Sequence, residues 1–358
     1  MGTSEKRALF VSASAEPWGA ERSLRTLLAS RPAGWSCGLL CSSEKVAEFC
    51  RPFVAEVLVV PGRQGKLPIL REFSRGLRKL GNRYDIVVLF SLKLLPLALI
   101  ARVASPETRV VADLHGAPTG FDRSVARLLL KTVDGASAIS RFVVEHYGIP
   151  DIRMIPRPIA DSGERKPVST MSDSESLVVL GIAGRIDTEK RIEVAIDAVR
   201  KLPSRFRLHV YGEPYLGGEA YLQQLRQRAT DTDRIVFRGY VDPDKIYDEV
   251  DAVIVCNENE ASGRTIGEAM LREKVAFAPD RGGAQEFFDD TVTGFVYHAL
   301  DADSLARAID LAFEAGRDLT LLGSLAREKV ISERSPDAVA KEYFGFLGNI
   351  VEMGRDRG

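Results

Sequence analysis

Short β-branched and apolar runs alternate with amphipathic segments along almost the whole chain, and that alternation restricts the fold more than any other feature. In the first half the strand-like runs are Ala8–Ala13, Cys37–Ser42, Glu56–Val60, Asp85–Phe90, Arg109–Asp113 and Ala136–Ile139. In the second half they are Leu177–Gly184, Arg207–Tyr211, Arg234–Arg238, Asp251–Cys256 and Val275–Ala278. Between them lie helical patterns such as Ile192–Leu202 and Ala220–Ala229. Several of the runs are nearly all apolar, as strands covered by helices on both faces must be. Strands alternating with helices on this scale build βαβ units and a parallel sheet, here twice over. The expectation is an α/β chain of two doubly wound domains with an interdomain cleft. Ligands of such folds sit at the carboxyl ends of the strands.

Charge divides the chain in the same way. Of its 358 residues, 49 are basic and 50 acidic, yet residues 1–167 hold 25 basic against 16 acidic side chains. Residues 168–358 hold 24 basic against 34 acidic ones. The polar stretch Ser162–Ser176 between them has no apolar periodicity and reads as a linker. The balanced total argues against a simple nucleic-acid binder, and 45% hydrophobic content argues against disorder. The basic first half is instead suited to an anionic partner. Cys37, Cys41, Cys50 and Cys256 lack the spacing of a zinc site or a disulfide framework and read as buried thiols. No run approaches the roughly 18–20 apolar residues of a membrane span, and nothing at the N-terminus marks export, so a cytoplasmic location is expected.

The chemistry concentrates in three loops after strands. In Asn257–Leu271 (NENEASGRTIGEAML), seven residues separate Glu260 on the loop from Glu268, which lies over a turn into a helix starting near Gly263. Gly263, Arg264 and Thr265 then place backbone amides at a helix N-terminus, where free N–H groups and the helix dipole favour a diphosphate. Glu268 is placed to accept from sugar hydroxyls. In Gly181–Arg191, Arg185 and Lys190 flank the turn after a strand. Two cations there can neutralise a departing diphosphate. In Glu16–Arg22, Gly19 opens a helix and lets backbone approach a ligand. His115, just past a strand, is set to hydrogen-bond a hydroxyl. The Asp-x-Asp triplets at Asp231, Asp242 and Asp301 stand where turns and helix starts want Asp, so no metal ligand is assigned.

These residues together resemble the GT-B glycosyltransferases, specifically the retaining nucleotide-sugar family numbered four, or group 1. The later strings Asp280–Glu286 and Thr293-Gly294-Phe295 add to the match, which extends over nearly the whole chain. The resemblance implies two Rossmann-like domains, 1–167 for the acceptor and 168–335 for the nucleotide sugar, with the final helix 336–350 packing back on the first. It implies that Glu260 lies near the anomeric face of a hexose-type donor sugar, Glu268 at the ribose, and Arg185 and Lys190 at the diphosphate. Gly19 matches the glycine loop closing over that diphosphate, and His115 the histidine near the sugar 6-hydroxyl. Val241, in Phe237–Val241, falls in the loop whose backbone meets the base. It further implies front-face transfer with retention, no metal, and no cofactor beyond a UDP- or GDP-linked sugar. Trp18, Ala261, Ser262, Pro156-Arg157-Pro158 and Arg272-Glu273-Lys274 depart from the family pattern, and Ala261 and Ser262 bear on the shape of the donor-sugar pocket.

The acceptor is expected to be a glycan, a lipid-linked molecule or a small molecule. Residues 63–83 hold seven basic residues against Glu72, with Ile69, Leu70, Phe73, Leu77 and Leu80 on one helical face. Such a helix suits peripheral contact with an anionic membrane, and its alternative is an ordinary domain helix packed into the core. Two alternatives to a transferase stand beside it: a catalytically silent scaffold of the same architecture, and a sugar-nucleotide epimerase or phosphorylase.

Overall fold

The computed structural model describes residues 5–62, 66–90, 92–104, 106–117, 120–161, 176–215 and 217–355. The stretch read as a linker lies outside them, apart from Ser176. The chain divides into two units, Met1–Ala160 with Glu333–Gly358, and Asp161–Ser332.

The first unit is built on seven strands: β1 (Lys6–Ser12), β2 (Trp35–Cys41), β3 (Glu56–Val59), β4 (Ile86–Leu89), β5 (Arg109–Leu114), β6 (Gly135–Ala138) and β7 (Ile152–Met154). They lie in the order β3-β2-β1-β4-β5-β6-β7, every neighbouring pair parallel. The second unit has β8 (Val178–Ala183), β9 (Phe206–Tyr211), β10 (Ile235–Gly239), β11 (Ala252–Ile254), β12 (Val275–Pro279) and β13 (Phe295–Tyr297). Their order is β10-β9-β8-β11-β12-β13, again all parallel. Each sheet reverses its winding once, between β1 and β4 and between β8 and β11. At such a switch point the loops leaving the two strands diverge and open a crevice.

Apolar side chains cover both faces of each sheet, which is why the strands carry so few polar residues. In the first unit one face packs Leu24, Leu27 and Leu28 of helix Gly19–Ala29 together with the last helix, Pro336–Arg355. That helix presents Val339, Ala340, Tyr343, Phe344, Leu347, Ile350 and Val351 as one stripe, each buried. Burying a side chain of this size contributes about 1.5–3 kcal/mol, so the stripe is a major part of that core.

The opposite face corrects one expectation. Phe73, Leu77 and Leu80 of helix Lys66–Leu80 are buried against Leu9, Val11 and Leu40, with Ile69 and Leu70 packed beside them. The apolar face offered above to a bilayer is therefore spent inside the unit. What remains outside is Leu67 with Arg71, Arg75, Arg78 and Lys79. Residues 63–65 lie outside the described part. No helix among the described residues is long and apolar enough to cross a membrane. All four cysteines are buried and unpaired, and burial pushes the Cys37 and Cys256 thiols up to about 12.

Candidate active site

The loops after β8 and β11 leave adjacent strands at the second sheet's switch point, so they meet. Asp187 accepts from the Glu189 amide at 3.1 Å and starts the short turn Thr188–Lys190. Lys190 Nζ then lies 3.0 Å from Glu260 Oε2, and Arg191 pairs with Glu258 at 3.5 Å. Burial alone would raise the Glu260 pKa. The Lys190 charge, the Lys190 hydrogen bond, the Gly263 backbone N–H and Asn257 outweigh it and hold the carboxyl below its ordinary value. Glu260 in turn raises the Lys190 pKa. Both groups are thus charged across the neutral range. Arg185 stacks its guanidinium 4.6 Å from the Tyr215 ring and is close enough to lower the Lys190 pKa slightly. It remains partly exposed, with Asp187 at 3.6 Å.

Gly263 has the left-handed φ of +73° and caps helix Arg264–Leu271. A Cβ there would stand 2.8 Å from Ala284 Cα, so both the turn and the close approach call for glycine. Its amide is directed at Glu260, which amends the expectation that all three leading amides face a diphosphate. The Thr265 N–H has no acceptor among the described residues. The Arg264 side chain does not reach outward either. Its Nε donates to Glu268 Oε1 at 2.7 Å, while Tyr247 Oη donates to Oε2 at 2.7 Å. Glu268 is 9% exposed and held from both sides, and as a carboxylate it only accepts hydrogen bonds. Val241 follows β10 and packs against the cluster of Tyr211, Ile246 and Tyr247.

The remaining two candidates belong to the first unit. Gly19 opens its helix directly after Trp18, whose side chain makes no cap hydrogen bond and is 41% exposed. His115 follows β5 and rests on Phe90, ring centroids 4.1 Å apart. Behind it Asp113 is buried. It accepts from Ser137 Oγ at 3.0 Å and Tyr343 Oη at 2.8 Å, and it pairs with Arg157. Burial favours the neutral acid, but Arg157, then His115 and the Tyr343 hydrogen bond, prevail and hold Asp113 well below the usual carboxylate range. Burial, followed by the Arg157 charge, lowers the His115 pKa.

Sequence reasoning missed Tyr247, Tyr215, Asn257 and the Asp113–Tyr343 link. Asn257 stood in the motif but carried no charge to draw attention. Tyr215 comes from a neighbouring loop, Tyr247 from helix Pro243–Glu249, and Tyr343 lies 230 residues from Asp113. Asp242 and Asp301 cap helices by accepting from the Asp244 and Ser304 amides, and Asp231 pairs with Arg200.

Two parallel, doubly wound sheets carrying these loops at their carboxyl ends define the GT-B fold of glycosyltransferases. Residues 169–329 match the family model of Glycosyl transferases group 1, so that part of the chain carries a group 1 glycosyltransferase domain. The lipopolysaccharide 1,2-N-acetylglucosaminetransferase of Salmonella typhimurium is 25% identical over 260 residues, 68% of this chain and 67% of that protein. The lipopolysaccharide core biosynthesis glycosyltransferase LpsE of Rhizobium meliloti is 24% identical over 190 residues, and the match spans about half of it, 53%. The crystal structure of Anabaena HepE in complex with UDP-glucose superposes with a TM-score of 0.83 at 20% identity, covering 96% of this chain and 99% of that one. The sucrose-phosphate synthase of Thermosynechococcus elongatus does so with a TM-score of 0.80 at 17% identity, covering 97% and 100%. These likenesses in structure speak for the fold.

Proposed function

We propose that the chain is a retaining, metal-independent hexosyltransferase that moves a sugar from a UDP-linked donor to a lipopolysaccharide-type glycan acceptor in the cytoplasm. The observation that carries the reading is the Lys190–Glu260 pair at the β8/β11 switch point, with Arg185 beside it. Cations fixed at that place act on charge as it develops on a leaving diphosphate, and a carboxylate kept ionised beside them acts on the positive sugar carbon. UDP is favoured over GDP because HepE was crystallised with UDP-glucose, and the acceptor class follows the names of the two curated relatives.

In this reading Arg185, Lys190 and the Thr265 amide grip the diphosphate, Glu268 takes the ribose hydroxyls, and the Val241 backbone meets the base. For His115 and Gly19 the reading takes the roles the resemblance implies, contact with a sugar hydroxyl and with a phosphate. The bond from the anomeric carbon to the phosphate oxygen breaks while the acceptor oxygen bonds the same face. The acceptor proton passes to the departing diphosphate, so no separate base is required. Lys190 serves two partners in turn. The incoming diphosphate draws the ammonium partly from Glu260, which leaves that carboxylate more negative as the sugar carbon becomes cationic.

The test is mass spectrometry of the purified protein with UDP- and GDP-linked hexoses and N-acetylhexosamines, with and without a lipopolysaccharide acceptor, in the presence of a chelator. Expected is UDP release that requires acceptor and a product of unchanged anomeric configuration. Acceptor-independent isomerisation of the sugar, or no turnover at all, overturns the reading.

A further inference from the structure

Arg157 stands in Pro156-Arg157-Pro158, a departure from the family pattern to which the function proposed above gives no role. The residue is 4% exposed, with its guanidinium between two rings, 5.5 Å from the centroid of Phe90 and 5.4 Å from that of Tyr343. Its Nε and Nη1 are buried without a hydrogen-bond partner among the described residues. Its Nη2 serves Asp113 and lies 3.3 Å from His115 Nε2.

Those positions bear on where the histidine proton sits. A guanidinium only donates. An Nε2–H tautomer would set two N–H donors head to head at 3.3 Å in a buried place. The other candidate acceptor for an Nε2 proton, Asp113 Oδ2, is 3.6 Å away, beyond hydrogen-bond range and farther than the Arg157 donor. Nε2 is best placed as the acceptor, which leaves the ring proton on Nδ1. Nδ1 has no partner among the described residues, and the side chain keeps 14% of its surface exposed.

We propose that Arg157 is a positioning residue for His115: by donating to Nε2 it fixes the neutral Nδ1–H tautomer, so the imidazole presents a hydrogen-bond donor to a substrate oxygen and never an acceptor lone pair. The ligand class is an oxygen that accepts, such as a sugar hydroxyl or an ether oxygen. The tautomer stands on the cluster alone, and only its use on the donor sugar rests on the function proposed above. Asp113 neutralises the guanidinium, and Ser137 and Tyr343 hold Asp113, so the cluster supports one nitrogen of one ring.

The experiment is long-range 1H–15N correlation of 15N-histidine-labelled protein at neutral pH, with His115→Asn assigning the signal among the four histidines. Expected is a neutral ring with a protonated Nδ1 and an unprotonated Nε2, retained in Arg157→Lys, which keeps a donor and a charge. In Arg157→Met the freed Asp113 draws a proton to Nε2, and the pattern changes to Nε2–H or to imidazolium. An Nε2–H or doubly protonated ring in the wild type overturns the proposal, as does an unchanged pattern in Arg157→Met. Should Arg157→Met fail to fold, the wild-type and Arg157→Lys spectra decide. Transfer assays separate the two claims. If His115→Ala transfers as well as wild type while the tautomer is as stated, the functional role of His115 fails and the positioning by Arg157 stands.

Discussion

Lys190 and Glu260 illustrate how little of a site a single residue explains. Each was legible in the sequence as a charge at the end of a strand. Their direct pairing was not, because it depends on β8 and β11 being neighbours, which no local pattern encodes. Removing one partner leaves the other's charge partly buried, at about 1–3 kcal/mol. Lys190→Ala is therefore expected both to lower stability by that order and to weaken UDP binding. Glu260→Gln keeps the shape and one hydrogen-bonding oxygen. Turnover should fall about 100-fold, worth about 2.7 kcal/mol of transition-state stabilisation, with nucleotide affinity little changed. Calorimetric titration with UDP beside steady-state rates separates the two cases, and near wild-type turnover in Glu260→Gln removes that carboxylate from the mechanism. His115 adds a pH dependence. Its folded pKa is depressed below 6.5, so as pH falls through 6.5 the unfolded chain takes up a proton that the folded chain refuses. Stability is full above that value and declines below it. Asp113 and Arg157 are the charged groups facing the ring. Glu260 acts in the same sense at lower pH, below 4.5, and the raised pKa of Lys190 acts in the opposite sense as pH climbs past 10.5. Urea midpoints over a pH series should fall less steeply below 6.5 in His115→Gln than in wild type.

Among elements, those with several turns or several apolar residues were readable, and the shortest were not. The helix expected near Gly263 begins at Arg264, and the strands before the three motif loops lie where the runs placed them. β7 and β13 escaped because three residues each show no periodicity, whereas the equally short β11 lies inside the longer run Asp251–Cys256. The apolar stretch Leu92–Ala104 has the composition of one helix. Pro96 breaks it into a tight turn at Leu92–Leu94 and a helix from Leu97, since proline cannot donate within a helix. Gly263 carries the element-scale prediction. Its left-handed backbone and the neighbouring Ala284 make Gly263→Ala cost about 1–3 kcal/mol, and the displaced turn should also weaken UDP binding. A thermal melt with and without UDP reads both. The basic helix Lys66–Leu80 behaved as an amphipathic element does in a core, and periodicity alone does not distinguish core from lipid as the apolar solvent. Any attraction of this helix to a membrane then rests on Arg71, Arg75, Arg78 and Lys79. Each contributes about 1 kcal/mol near an anionic surface. Co-sedimentation with phosphatidylserine vesicles should appear at low salt, vanish at high salt, and be lost when the four are changed to Glu. Binding that persists in high salt would show an apolar anchor elsewhere.

At the scale of the molecule, charge segregation and strand–helix alternation expressed the two-part plan, because both are averages over many residues and survive local exceptions. The site is harder to read. The candidate residues of the two units come from separate loops, and only those whose types suggest chemistry draw attention, while supports such as Tyr247, Tyr215 and Tyr343 are visible only in three dimensions. The chain's course has its own consequence. It leaves the first unit at Ala160, builds the second through Ser332, and then returns to complete the first. Tyr343, Phe344 and Leu347 close that unit's core, and Tyr343 also donates to Asp113 behind His115. Cutting the chain before Pro336 thus removes a core layer and a support of the His115 cluster, yet touches no group proposed to hold the nucleotide. Two unfolding transitions are expected from the shortened chain. The first unit should melt far earlier than in the full chain. The second should keep its nucleotide response, about 2.7 kcal/mol of stabilisation at a UDP concentration 100 times Kd. Scanning calorimetry with and without UDP tests this directly. A single transition that UDP no longer shifts would mean that the nucleotide's hold depends on the first unit, and that the second unit's loops do not bind it by themselves.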